Sequence, residues 1–79
     1  MLEDLILEQH LNAWTGLTKC EIAFIDQARP PLSIESKKTH LSKAEHYAKS
    51  ALWAQQKLDP ESRTCEALEL WKRAIEEIQ

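Results

Sequence analysis

Apolar residues recur along this chain at the spacing of helices rather than of strands. At about 100° per residue, Leu2, Ile6, Leu7, Ala13, Trp14, Leu17, Cys20, Phe24 and Ile25 gather into one stripe that keeps phase across Gly16. That continuity predicts a single helix over about 2–28, although Thr18 and Glu21 also have the spacing of an internal capping box. A second stripe, Leu41, Ala44, Tyr47, Ala48, Ala51, Leu52, Ala54 and Leu58, predicts a helix over about 34–58. Its four alanines give thin cover and let neighbouring helices approach closely. A third stripe, Ala67, Leu68, Trp71, Ala74, Ile75 and Ile78, predicts a helix over about 60–78.

Two proline sites separate these segments. ARPPLS, residues 28–33, cannot continue a helix, because proline lacks the backbone donor and pushes the preceding residue out of helical geometry. In LDPES, residues 58–62, Asp59 suits an N-cap, Pro60 the first helical position and Glu61 the positive end of the helix dipole. With one glycine, three prolines and no sustained alternation of apolar and polar residues, the chain reads as all-α. Short connections make successive helices antiparallel neighbours. The expected architecture is one helical domain over 1–79, an antiparallel up-down-up three-helix bundle. The alternative is a long hairpin that dimerises into a larger bundle.

Length sharpens the question of partners. A chain of 79 residues buries only about 60% of the surface its unfolded form exposes, so it gains from oligomerising or docking. Two cysteines, Cys20 and Cys65, make no disulfide framework, and the MLED N-terminus has no signal-peptide pattern. Both favour a cytoplasmic setting. The longest apolar run is IAFI, residues 22–25, too short to span a membrane.

Charge divides by segment. Residues 1–28 carry five acids and one base, residues 29–58 six bases and two acids, and residues 59–79 six acids and three bases, within a total of −3. A basic middle helix between two acidic ones suits a bundle in which the second helix touches both others. Exposed pairs contribute only about 0–1 kcal/mol each, so such a pattern selects an arrangement more than it stabilises one. A nucleic-acid surface would need a basic face outweighing the domain's own repulsion of phosphate, and the acidic total disfavours it.

Reactive constellations are missing from the pattern. His10, His40 and His46 form neither Glu-x-x-His nor His-x-x-x-His spacing, the arrangements that place two metal ligands on one helical face. His10 falls within the first stripe and reads as a packed or interface histidine. Cys20 reads as a core residue of the same stripe, and Cys65 as the edge of the third helix's polar face. No Ser–His–Asp set, glycine-rich phosphate loop or CxxC occurs. The expectation is a protein that is not an enzyme, with no metal, cofactor or small-molecule substrate.

Trp53 breaks the amphipathic rule. Its direction opposes the alanine stripe, among His46, Lys49, Gln56 and Lys57. Tryptophan is enriched at binding hot spots. Trp53, Lys49, His46, Lys57 and Gln56 are therefore the candidate partner-binding residues, a cation-rimmed anchor for an acidic protein surface or a second copy.

Ala67, Trp71 and Ala74 in EALELWKRAIEEI, residues 66–78, have the Ala-x3-aromatic-x2-Ala spacing of the second helix of a tetratricopeptide repeat. LSKAEHYAKSALWAQQKL before it resembles the first helix of such a hairpin, and residues 41–78 also resemble helices 1 and 2 of the MIT (microtubule-interacting and trafficking) domain. The repeat's closing proline and first-helix glycine are missing, and the long first helix has no MIT counterpart. The resemblance implies protein or peptide binding in helix grooves without catalysis. A looser similarity, in size, acidity and the opening LEDLIL, is to the small co-chaperones of type III secretion needle subunits. The expected function is a protein–protein interaction module, an adaptor or chaperone-like chain that self-associates, for instance as a homodimer, or binds a protein partner through the exposed face of the second helix. The alternatives are such a co-chaperone, or a small regulator contacting nucleic acid through the basic second helix.

Overall fold

The computed structural model describes residues 2–78, with side chains through residue 77. Three helices follow one another: α1 Leu2–Gln27, α2 Ile34–Leu58 and α3 Glu66–Ile78. Each touches both others, and they run up, down and up, as the periodicity predicts. α1 is unbroken across Gly16. The placement expected of the Ile78 side chain lies outside the described residues.

Local chemistry explains most of the boundaries. α1 ends before ARPPLS, where the Arg29–Pro30 bond is cis and the Arg29 guanidinium donates to the carbonyls of Asp26 and Ala28 at 3.2 and 2.8 Å. α2 starts at Ser33, whose hydroxyl accepts from the Ser36 amide at 3.2 Å, a serine N-cap. It stops where Asp59 adopts extended backbone, its amide still donating to the Gln55 carbonyl.

The third helix begins at residue 66 rather than 60. Asp59 and Pro60 open a turn, not a helix. The Ser62 amide donates to the Asp59 carbonyl at 2.9 Å, and the Asp59 carboxylate accepts from the Glu61 amide and the Ser62 hydroxyl. Residues 63–65 then return along the hairpin without helical structure. The physical reason lies with Cys65. A helix from residue 60 would carry it toward solvent, whereas the extended return segment buries it to 8% exposure, with its thiol donating to the Ala48 carbonyl at 3.8 Å. This corrects the expectation that Cys65 borders a polar face. The Glu69 amide donates to the Cys65 carbonyl and starts α3, while the Thr64 hydroxyl donates to the Glu69 carboxylate at 2.7 Å.

The core is built on small residues. Ala44, Ala48, Ala51 and Ala54 of α2 and Ala67 of α3 are fully buried. Cys65 and Leu68 complete one cluster, flanked by Leu11, Trp14, Leu52 and Trp71. Ile25, Leu41 and Ala74 form another near the first loop, with Ile22, Leu32 and Ile75 against it. Trp71 fixes the height of α3 on α2, because its indole N–H donates to the Leu41 carbonyl at 3.0 Å.

α1 is rotated from the single stripe read in its sequence. Its inner seam is Leu7, Leu11, Trp14, Thr18, Ile22 and Ile25, centred on Thr18. Thr18 is fully buried, and its hydroxyl is satisfied by the Trp14 carbonyl at 2.9 Å. Of the expected stripe, Leu7, Trp14 and Ile25 face inward, while Leu2, Ile6, Ala13, Leu17, Cys20 and Phe24 are exposed. Cys20 is thus a free surface thiol rather than a core residue, and His10 is exposed rather than packed.

The charge division does not translate into ion pairs between α2 lysines and the acidic helices among the described residues. Lys19 of α1 pairs with Glu66 of α3 at 3.2 Å. Glu21 of α1 meets His40 of α2 at 2.6 Å, with both side chains mostly buried. Lys49 pairs only within its own helix, with Glu45 at 3.6 Å.

Candidate interaction surfaces

Trp53 stands on the outer face of α2 with 53% of its surface exposed, opposite the buried alanines, as its helical phase requires. Lys57 places its ammonium 5.7 Å from the centre of the indole ring, a cation–π contact worth about 0.5–1 kcal/mol at an exposed site. Gln56, Lys57 and Pro60 line a shallow depression beside the ring, and the Gln56 amide donates to the Ser62 carbonyl at 3.2 Å. The turn at residues 59–62 therefore forms one rim of the Trp53 patch, a contribution that a helix starting at residue 60 would not make.

The five candidate residues do not act as one cluster. Trp53, Gln56 and Lys57 converge. Lys49 lies one turn back and is drawn toward Glu45. His46 turns the other way, its ring edge-on to Trp14 at 6.3 Å and tilted against Tyr47 at 6.0 Å. Trp14 stacks on Tyr47 at 5.8 Å, so His46 borders an aromatic group that ties α1 to α2. The exposed lysines Lys38, Lys43 and Lys57 keep this side of α2 cationic.

A second surface lies on α1. Leu2, Leu5, Ile6, Leu17 and Phe24 are 42–73% exposed. At about 100° per residue, the charged residues Glu3, Asp4, Glu8, Lys19, Glu21 and Asp26 all fall on the side of the helix that carries the buried seam. About 200° of the circumference, the half turned away from the bundle, holds no carboxylate, lysine or arginine over 26 residues. An ordinary amphipathic surface helix does the reverse and places its charges opposite the core.

No group of three or more His, Cys, Asp or Glu could hold a metal ion among the described residues. No buried side-chain polar atom among them lacks a hydrogen-bond partner. A cleft at the first-loop end is lined by Asp26, Arg29, Lys37 and Glu77 over Ile22, Ile25 and Ala74, with both signs of charge at its rim. No helix among the described residues is long and apolar enough to cross a membrane. No family model, curated protein or solved structure matches the chain.

Proposed function

We propose that this chain is a small, non-enzymatic protein–protein interaction module of the cytoplasm, acting as an adaptor or chaperone-like subunit. The observation that carries the reading is Trp53. A large aromatic ring held outside the core, beside Lys57 and Gln56, costs the free protein exposed apolar surface that a partner would cover. The lysines around it favour an acidic partner surface, through faster encounter more than through final affinity. The α2–α3 hairpin supports the same reading. It buries Ala67 against the α2 alanines and Ala74 between Leu41 of α2 and Ile25 of α1, two of the positions on which its resemblance to tetratricopeptide and MIT hairpins rests.

The test is a comparative capture from native extract with three baits: the wild type, Trp53→Ala and Lys57→Glu. A partner retained by the wild type and lost by both variants, with helical content unchanged, supports the reading. Identical retention by all three removes Trp53 from the binding surface.

A further inference from the structure

The outer face of α1 has a repeat of its own. Ile6, His10, Ala13, Leu17, Cys20 and Phe24 follow one another at alternating steps of four and three residues, the seam pattern of paired helices. Within the subunit only its Phe24 end is partly covered, by the His40 ring of α2 at 4.6 Å. A Cβ added at Gly16 would meet no atom within 4 Å, and Leu17 and Phe24 remain 42% and 52% exposed.

We infer that α1 pairs with α1 of a second copy of this chain, antiparallel and centred near residue 15. Three observations choose this occupant. First, the seam maps onto itself when reversed: Ile6 meets Phe24, His10 meets Cys20, and Ala13 meets Leu17. A two-fold interface must be self-complementary in this way. Small residues meet large ones at the centre, Ala13 against Leu17. Second, the face carries no fixed charge. It neither repels its own copy nor offers the ionic pattern that would select a different protein. Third, antiparallel packing sets the opposite ends of the two helix dipoles side by side, whereas a parallel pair would stack His10 on His10.

Size sets the expected strength. α1 is about 39 Å long at about 1.5 Å per residue, and a strip about 10 Å wide gives on the order of 400 Å² of projected contact per subunit. That is about half of the roughly 800 Å² per partner of a standard specific pair, the size of a weak, concentration-dependent dimer. This inference shares with the reading above only that the chain binds protein, because its surface and occupant are different.

Sedimentation equilibrium across a concentration series tests it on the full chain. The wild type should fit a monomer–dimer equilibrium. Leu17→Glu, which adds a charge twice to the seam, should weaken it at least about 100-fold without loss of helical circular dichroism. Ile6→Glu provides the same test at the seam's end should Leu17→Glu disturb folding. Trp53→Ala should leave the dimer unchanged, so loss of partner capture and loss of dimerisation can be scored separately. Register is read by oxidation. Residues 10 and 20 of one helix are about 15 Å apart, too far to bridge, so His10→Cys should form a covalent dimer through Cys20 of the other copy, and the wild type should not. A wild type that stays monomeric overturns the inference, as does a dimer indifferent to both Leu17→Glu and Ile6→Glu. Spontaneous linkage between wild-type Cys20 thiols would overturn the antiparallel arrangement.

Discussion

Ala48 shows most clearly how single side chains set this fold. It has no exposure, lies in the core with Ala51 and Ala67, and its carbonyl receives the Cys65 thiol. There is no room for a longer chain, so Ala48→Leu should destabilise the protein by about 1–3 kcal/mol, measured as a lowered denaturation midpoint in urea. Trp71 has a different role. Trp71→Phe keeps an aromatic ring but removes the donor to the Leu41 carbonyl, and the same titration should register a loss of about 1 kcal/mol. The positions of these two residues were legible in the sequence, because α2 and α3 each carry a single apolar stripe. Trp53 was legible for the same reason. α1 was not, since it has two apolar stripes and counting hydrophobic positions merges them. The charged residues held the missing signal: Glu8, Lys19, Glu21 and Asp26 flank the seam that is buried, centred on Thr18.

Among the elements, α2 is the shaft on which the others rest. Its start depends on one hydroxyl, that of Ser33. Ser33→Ala should cost about 1 kcal/mol, seen as a lower midpoint and as faster amide exchange in the first turn of α2. α3 teaches the opposite lesson about boundaries. Asp59 and Pro60 satisfy every local rule for beginning a helix, yet the chain uses them in a turn and delays the helix until residue 66. Tertiary burial of Cys65 outweighs local propensity there, and burial of a residue six positions downstream is not visible in a capping motif. The charge division was similarly overread. Alternating acidic and basic helices did not yield pairs from the α2 lysines to α1 or α3, and Glu21–His40 joins two helices through a histidine that no spacing rule singles out.

The whole molecule is a rod rather than a ball. Its extents are 46 × 20 × 14 Å and its radius of gyration is 13.6 Å, against about 12 Å for an average domain of this length. The cause is unequal helices. α3 has 13 residues to the 26 of α1, so it covers the half of the α1–α2 hairpin nearest the first loop, and the segment at residues 59–65 returns along α2. α1 therefore projects its first turns, Leu2 to Ile6, with every side chain exposed. A pair formed along α1 would add burial that the subunit lacks. The thermal midpoint of the wild type should accordingly rise with protein concentration, while that of Leu17→Glu stays constant; scanning calorimetry at concentrations spanning two decades reads the difference.

The three indoles are distributed one to each helix: Trp14 in α1 beside Tyr47, Trp53 in α2 toward solvent, and Trp71 in α3 tethered to α2. Nature has thereby furnished each rod with its own optical reporter. Variants retaining one indole at a time would let fluorescence follow the departure of every helix separately, with acrylamide quenching the emission of residue 53 first.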